Sequence, residues 1–165
     1  MNEGQAEYAR GLADEDLVKG FLRTKYEVEE STADENIKLD IDAYVKGVPV
    51  SIKCMNARTP KNFAFELQVQ NARGEWNDSW FHNGKAKKYI IWHRGMDTIF
   101  GLDKSKVLNY IKTHDFDRKT GLSANTKEIQ SFHRDKDVII GLISIAKLVE
   151  AGVAVVLSDT FTGTY

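Results

Sequence analysis

Residues 36–70 read NIKLDIDAYVKGVPVSIKCMNARTPKNFAFELQVQ, and they contain three successive runs in which apolar and polar residues alternate. The runs cover 37–45, 48–55 and 63–70. Alternation with a period of two is typical of strands that bury one face. The sequence therefore predicts three consecutive β-strands, with residues 46–47 (Lys-Gly) as a tight hairpin turn between the first two.

The polar positions of these strands share one sheet face if the strands lie side by side. They are Asp40, Asp42, Ser51, Lys53, Glu66 and Gln68. Two carboxylates on adjacent strands can hold Mg²⁺, and a nearby lysine can orient water and offset the charge that develops on a phosphate. This set suits metal-assisted phosphodiester hydrolysis, but an ordinary solvated sheet face contains the same residue types.

The rest of the chain supplies helices and further strands. Helical spacing of apolar residues predicts helices at 5–25, 103–114 and 137–151, the last ended by Gly152. Alternating or apolar runs predict strands at 26–31, 86–93 and 153–158, the last of them buried. Connections are expected at 32–35, 71–84 and 115–135, and the third is predicted to be mobile or ordered by a partner.

Length and composition bound the class of protein. The 165 residues, 42% hydrophobic and 28% charged, predict a single globular domain over 1–165 with a mixed α/β (α+β) fold around a central sheet. No apolar run approaches the roughly 20 residues of a membrane helix, and the N-terminus does not read as a signal peptide. The single Cys54 is expected to be a buried free thiol, so the predicted location is cytoplasmic.

Charge is distributed unevenly along the chain. Residues 1–45 contain 5 basic and 12 acidic residues, a net of −7, whereas residues 85–136 contain 12 basic and 6 acidic residues, a net of +6. A basic half beside an acidic half indicates a polyanionic partner, and chance clustering of solvated charges is the alternative.

The segment LDIDAYVKGVPVSIK, residues 39–53, resembles the core motif of the PD-(D/E)xK nuclease superfamily. In that family an Asp begins a hairpin and an acid-x-Lys follows on the next strand, and Asp40 and Lys53 match the first and last positions. The resemblance covers about the first 70 residues. It implies a restriction-endonuclease-like fold, which Holliday-junction resolvases share, with a central mixed sheet flanked by helices.

The sequence departs from the family at Ser51, where the motif has a metal-binding acid. Two carboxylates can replace it: Glu66 on the presumed same face of the following strand, or Asp42 on the face of Asp40. The residues leave this choice open. If neither replacement holds, the resemblance implies a nuclease fold that binds nucleic acid or a protein partner without cutting.

The resemblance implies Mg²⁺ or Mn²⁺ as the cofactor. The implied metal ligands are Asp40, Asp42, Glu66 and the carbonyl oxygen of Ile52, with Glu15 or Asp14 of the preceding helix as an auxiliary acid. The implied catalytic residues are Asp40, Lys53, Glu66 and Gln68. Lys53 would position the attacking water, and Gln68 would orient water or phosphate.

DNA is the implied partner. Contacts to its phosphates are expected from Lys85, Lys87, Lys88 and Arg94, for which a solvated strand edge is the alternative. The sequence thus predicts a small metal-dependent DNA endonuclease, phage-encoded or prokaryotic. Its size favours structure-directed or weakly sequence-specific cutting, and the resemblance implies a homodimer.

Overall fold

The computed structural model describes residues 3–55, 62–113, 127–132 and 136–163. The helices are α1 (Glu3–Arg23), α2 (Ala33–Leu39), α3 (Trp80–Asn83), α4 (Lys104–Thr113) and α5 (Ile145–Glu150), with a 3₁₀ turn at Arg94–Met96. The strands are β1 (Val28–Glu30), β2 (Ala43–Val45), β3 (Val48–Met55), β4 (Asn62–Gln70), β5 (Trp76–Asp78), β6 (Lys88–His93), β7 (Thr98–Asp103), β8 (Lys127–Phe132), β9 (Lys136–Ser144) and β10 (Ala154–Ser158).

The strands form a mixed sheet and an antiparallel sheet. The first sheet has the order β1-β2-β3-β6-β7-β10, in which β3 and β6 run parallel and the other neighbours run antiparallel. The second sheet has the order β5-β4-β9-β8 and is antiparallel throughout. The predicted mixed α/β class with a central mixed sheet is confirmed.

The second sheet packs on one face of the first. Phe63 and Phe65 of β4 are fully buried against Tyr89, Ile91 and Phe100 of the first sheet. The rings of Phe63 and Phe100 meet edge to face, with centroids 5.1 Å apart. Burial of aromatic side chains supplies a large part of the hydrophobic stabilisation of such an interface.

Helix α1 covers the opposite face of the first sheet. Val18 and Leu22 are fully buried there and pack with Val50, Ile52 and Ile90. The strand predicted at 48–55 is therefore observed. Alternate side chains of β3 face α1, and the others face the second sheet. Helix α1 is thereby fixed over β3, the strand that contains Lys53.

The predicted strand at 37–45 is confirmed only over its last three residues, and the predicted connection at 32–35 is wrong. Residues 33–39 form α2, and strand structure begins only at Ala43. The cause is a capping box: the Thr32 hydroxyl accepts from the Glu35 amide at 3.2 Å, and the Glu35 carboxylate accepts from the Thr32 amide at 2.8 Å. Two satisfied backbone donors at its N-terminus favour a helix in a segment whose Ile37 is 78% exposed.

The expectation of one sheet containing all three alternating runs is also wrong. Strand β3 pairs with β2 on one side and with β6 on the other, so no edge of β3 remains for β4. Strand β4 pairs instead with β5 and β9. The apolar residues at alternate positions of β4 are buried because the second sheet packs face to face on the first. The alternation in 63–70 therefore reflects packing between two sheets and not membership of one sheet.

The predicted helix at 137–151 is wrong over its first half. Residues 136–144 form β9, and only Ile145–Glu150 are helical. The backbone of β9 pairs with both β4 and β8, and this pairing outweighs the helical spacing of the apolar residues. Gly152 has a φ of 70° and ends the helical segment as expected.

Most of the other predicted elements are confirmed. They are the helices at 5–25 and 103–114, the strands at 26–31, 48–55, 86–93 and 153–158, and the turn at 46–47. Strand β10 is an edge strand in which Val155 and Val156 are exposed, so its predicted burial is wrong. The predicted connection at 71–84 contains β5 and α3, whereas 115–135 lies outside the described residues except for β8. Within the described ranges, no helix is long and apolar enough to cross a membrane.

Candidate active site

The β2–β3 hairpin fixes Asp42 against the middle of β3. The Asp42 amide donates to the Val50 carbonyl at 2.9 Å, which continues the hairpin ladder by one residue. The carboxylate then turns across to β3, where its Oδ2 accepts from the Ile52 amide at 2.6 Å and from the Ser51 hydroxyl at 3.3 Å. Ser51 thus supports Asp42 at the position where the family motif has an acid.

Asp42 is a buried carboxylate that also contacts helix α2. Asn36 on that helix donates to Asp42 Oδ1 at 2.6 Å, and Asp42 is 4% exposed. Burial raises the pKa of Asp42 above its ordinary value, while the Ile52 N–H and the charge of Lys53 oppose the rise. The site therefore holds Asp42 in place and makes its negative charge costly.

Glu15 on α1 is a second carboxylate near Asp42. Burial raises its pKa from 4.5 to about 7, and the negative charge of Asp42 adds to the rise, against the charges of Lys19 and Lys53. Glu15 and Asp42 are therefore close enough to repel each other appreciably. A bound cation would relieve both the burial and the repulsion.

Lys53 on β3 lies among the acidic groups. Its Nζ is 2.7 Å from Asp40 Oδ1 and 4.5 Å from the centroid of the Trp80 ring. Its positive charge acts on both Glu15 and Asp42. Trp80 packs against the hydrophobic core and also contacts Lys53.

Asp40 occupies the C-cap of α2 instead of the first position of the hairpin. Its backbone is left-handed, with φ 54° and ψ 43°, and its N–H donates to the Glu35 carbonyl. This residue ends the helix, so Asp40 and Asp42 are not related by the period of a strand. Asp40 Oδ1 accepts from Lys53, whereas Oδ2 is buried and has no hydrogen-bond partner within the described part of the chain.

Glu66 and Gln68 lie on β4 in the second sheet. The expectation that they share a sheet face with Asp40 and Lys53 is wrong, because β4 does not pair with β3. The Glu66 carboxylate accepts a hydrogen bond from the Ser79 hydroxyl, and Gln68 lies opposite Asp78 in the β4–β5 ladder. Metal binding by Glu66 and water orientation by Gln68 stay predictions.

Asp14, the other candidate acid of α1, is engaged elsewhere. It forms an ion pair with Arg94, whose Nε lies 3.2 Å from Cys54 Sγ and whose guanidinium carbon is 4.6 Å from the Trp92 ring centroid. Glu15, and not Asp14, therefore interacts with the carboxylates and Lys53. Burial raises the pKa of Cys54 to about 11, which agrees with an inert thiol. DNA contact by Arg94 stays a prediction.

The candidate DNA-contacting lysines lie in the segment between α3 and β6 and at the start of β6. Lys85, Lys87 and Lys88 are exposed, and their segment is tied to the site by backbone hydrogen bonds from Lys85 to Leu39 (2.7 Å) and from Lys87 to Pro49 (2.9 Å). The backbone at Lys85 and Lys87 therefore lies beside the end of α2 and the β2–β3 hairpin.

Sequence reasoning missed Lys104, the first residue of α4. Its amine donates to the Gly84 carbonyl. Burial lowers its pKa, the negative charge of Asp40 opposes this, and the positive charge of Lys85 adds to it. No spacing in the sequence relates α4 to the hairpin, so only the fold brings this lysine to the site.

The side chains at the site fit a hard divalent cation of the magnesium type. Among the described residues, no group of three or more His, Cys, Asp and Glu side chains could hold a metal ion. Mg²⁺ does not require one, because it is usually bound by one or two carboxylates and keeps several waters. Glu15 and Asp42 supply two carboxylates, and the Ile52 carbonyl predicted by the motif belongs to the residue that binds Asp42.

Comparisons with known proteins bear on the fold. Neither a protein-family model nor a curated protein matches the sequence. Among solved structures, a restriction endonuclease in complex with substrate DNA is similar, with a TM-score of 0.52, 13% sequence identity, and coverage of 92% of this chain and 71% of that chain. A bacterial homing endonuclease, I-Ssp6803I, aligns with a TM-score of 0.46, 11% identity, and coverage of 62% of this chain and 72% of that chain.

The chain therefore has a restriction-endonuclease-like fold, as its hairpin motif predicted. The architecture agrees with this assignment: a central mixed sheet is covered by α1 on one face and by the second sheet on the other, and Asp42 and Lys53 lie at the entry and on the second strand of the β2–β3 hairpin.

Proposed function

We propose that the protein is a metal-dependent DNA endonuclease that hydrolyses phosphodiester bonds. The observation that supports the proposal is the convergence of Glu15, Asp42 and Lys53, from α1, the hairpin entry and β3, within a restriction-endonuclease-like fold. Each contributes a different part of the same chemistry. The cofactor is Mg²⁺ or Mn²⁺, which supplies Lewis-acid polarisation and a more acidic water.

The chain's own residues orient the reactants. Glu15 and Asp42 are the metal-binding carboxylates, with the Ile52 carbonyl as a further oxygen donor. Lys53 orients the attacking water and offsets the negative charge that grows on the phosphate. Glu15 replaces the acid that the motif lacks at Ser51, so that Asp40 and Glu66 are not needed as ligands.

The substrate surface lies on the side of Lys85, Lys87 and Lys88. Exposed lysines contact phosphates without reading bases, which agrees with structure-directed or weakly sequence-specific cleavage. A homodimer would place two sites on the two DNA strands, and sedimentation of the protein alone and with a DNA duplex would measure this.

Cleavage assays test the proposal directly. Supercoiled, linear and four-way-junction DNA are incubated with the protein and Mg²⁺, Mn²⁺ or EDTA. We expect metal-dependent cleavage that falls by about 100-fold or more in Glu15→Gln, since one ligand of the cation is lost. Asp16→Asn is the matched control, because Asp16 is the exposed neighbour on α1, and it should cleave like the wild type.

The outcomes separate two functions. Cleavage that persists in EDTA, or that is equal in Glu15→Gln and Asp16→Asn, would refute the metal-dependent mechanism at this site. The second candidate is a nuclease-fold module that binds nucleic acid or a protein partner without cutting. Ser51 favours it, because a buried hydroxyl stands where the motif has a ligand. That module predicts DNA binding, unaffected by EDTA, in a folded protein that cleaves none of the substrates.

A further inference from the structure

Lys53 is contacted by two side chains from different elements. Asp40, at the end of α2, accepts from its ammonium at 2.7 Å, and the Trp80 ring of α3 lies 4.5 Å from the same nitrogen. The Lys53 side chain is only 26% exposed. A lysine otherwise samples many rotamers, so an ion pair and a cation–π contact together restrict where its charge can lie.

The route of the backbone sets the direction of Asp40. Its left-handed conformation ends α2, and Asp and Asn are the non-glycine residues that tolerate this conformation best. Asp42, two residues on, turns to the backbone of β3. The two carboxylates therefore serve different partners: Asp42 is bound by β3, and Asp40 is bound by Lys53.

Gly84 packs against both residues that contact Lys53, Trp80 and Asp40. A Cβ on Gly84 would lie 2.7 Å from the Trp80 carbonyl oxygen and 3.1 Å from both Cβ and Oδ2 of Asp40. The Gly84 amide donates to the Trp80 carbonyl at 2.8 Å, and the next residue, Lys85, donates to Leu39 at 2.7 Å. The end of α3 is thus packed directly against the end of α2.

Both oxygens of the Asp40 carboxylate lie at the contacts that hold Lys53. Oδ1 is occupied by Lys53, and Oδ2 is a buried atom against Gly84. The contact that a residue needs in order to orient Lys53 is the one that Asp40 makes.

We propose that Asp40 and Trp80 form a lysine clamp that fixes the Lys53 ammonium beside Glu15 and Asp42, and that Asp40 is a positioning residue and not a metal ligand. The catalytic meaning of the clamp rests on the proposed nuclease function. Pre-organisation of this kind matters because displacement of a catalytic group by about 1 Å can cost roughly 100-fold in rate.

The clamp itself is tested in metal-free protein by NMR of ¹³C,¹⁵N-labelled lysine. The Trp80 ring should shift the ε-methylene protons of Lys53 upfield from ordinary lysine values. Asp40→Asn, which suits the left-handed backbone, should return that signal toward the ordinary values. Asp97→Asn is the matched control, because Asp97 also has a positive φ (48°) and is exposed, and it should leave the Lys53 signal in place. A Lys53 signal without an upfield shift in the wild type, or one unchanged by Asp40→Asn, would overturn the clamp.

Kinetics distinguish a positioning residue from a metal ligand. We expect Asp40→Asn to lower kcat by about 10- to 100-fold while the Mg²⁺ concentration for half-maximal activity stays the same. In a Lys53→Met background, Asp40→Asn should have no further effect, because the group it orients is gone. An equal loss in both backgrounds, or a large increase in the Mg²⁺ requirement, would identify Asp40 as a ligand and overturn the proposal. A wild type that shows the NMR shift but cleaves no DNA would overturn the nuclease function and not the contact.

Discussion

At the residue scale, the raised pKa of Glu15 links the site to stability. Burial and the charge of Asp42 hold this pKa at about 7, against 4.5 for an ordinary Glu. Between these two values the folded protein binds the proton more tightly than the unfolded chain, so the free energy of unfolding falls as the pH rises from about 4.5 to about 7. Above that window the loss is complete.

Glu15→Gln removes this titration and should stabilise the metal-free protein at high pH. We expect its Tm to exceed that of the wild type by about 2–4 °C at pH 8, a small effect because solvent screens this half-buried side chain. The difference should shrink as the pH is lowered to 4.5, and excess Mg²⁺ should raise the Tm of the wild type more than that of the variant. Scanning calorimetry at several pH values measures both effects; a Tm difference that is independent of pH would contradict the assigned pKa.

Gly84 is a second residue whose substitution should change the stability of the protein in a definite direction. Gly84→Ala places a Cβ 2.7 Å from the Trp80 carbonyl, so the end of α3 must move, and we expect a loss of about 1–3 kcal/mol. Gly11→Ala is the control, since Gly11 lies within α1 with nothing within 4 Å of the added Cβ and should gain up to about 1 kcal/mol. Urea unfolding gives both values, and equal stability of the two variants would refute the tight packing at Gly84.

The candidate site was predictable where it is local in the sequence. Asp42 and Lys53 lie on one hairpin, so the spacing along the chain and the pairing of two strands bring them together. Glu66 was a candidate only through parity, and parity states which face of a strand a residue occupies but not which sheet the strand joins. The choice of Glu15 over Asp14 depends on how α1 packs, which a helix repeat in isolation does not specify.

At the element scale, α2 illustrates a signal that alternation conceals. Residues 37–41 alternate like a strand, yet Thr32-x-x-Glu35 is a capping-box pattern and the helix forms there. Residues 138–144 illustrate the opposite case, because a continuous apolar run fits a buried strand or a buried helix equally well by periodicity. Pairing with β4 and β8 decides for a strand, and β4 is far from β9 in the sequence.

The capping box of α2 also supports the site, because α2 holds Asn36 against Asp42 and ends at Asp40. Thr32→Ala removes the side-chain acceptor for the Glu35 amide and should cost about 1 kcal/mol of stability. Thr32→Ser retains the hydroxyl and should cost little. Urea unfolding of the two variants side by side measures the difference; equal stabilities would show that the cap contributes nothing to the fold.

At the scale of the whole molecule, the two sheets explain how a 165-residue chain places charge around its site. The acidic N-terminal portion supplies α1 and the hairpin entry, and so both proposed metal-binding carboxylates. The basic portion supplies Lys85, Lys87 and Lys88, which its backbone hydrogen bonds tie to Leu39 and Pro49. The fold thus brings opposite ends of the charge gradient together, which suits a site that holds a cation and receives a polyanion.

This arrangement predicts how DNA binding depends on salt. Each phosphate neutralised by a lysine contributes about −0.9 to the slope of log K against log salt concentration, because counterions are released. Replacing Lys85, Lys87 and Lys88 together with Ala should therefore reduce the magnitude of the slope by about 3 if each contacts one phosphate. Fluorescence anisotropy with a labelled duplex in EDTA measures the slope without cleavage. Lys147→Ala, an exposed lysine of α5, is the control and should leave the slope unchanged. If the triple variant keeps the wild-type slope, the DNA follows a different surface, and the placement of these lysines beside the hairpin has no part in binding.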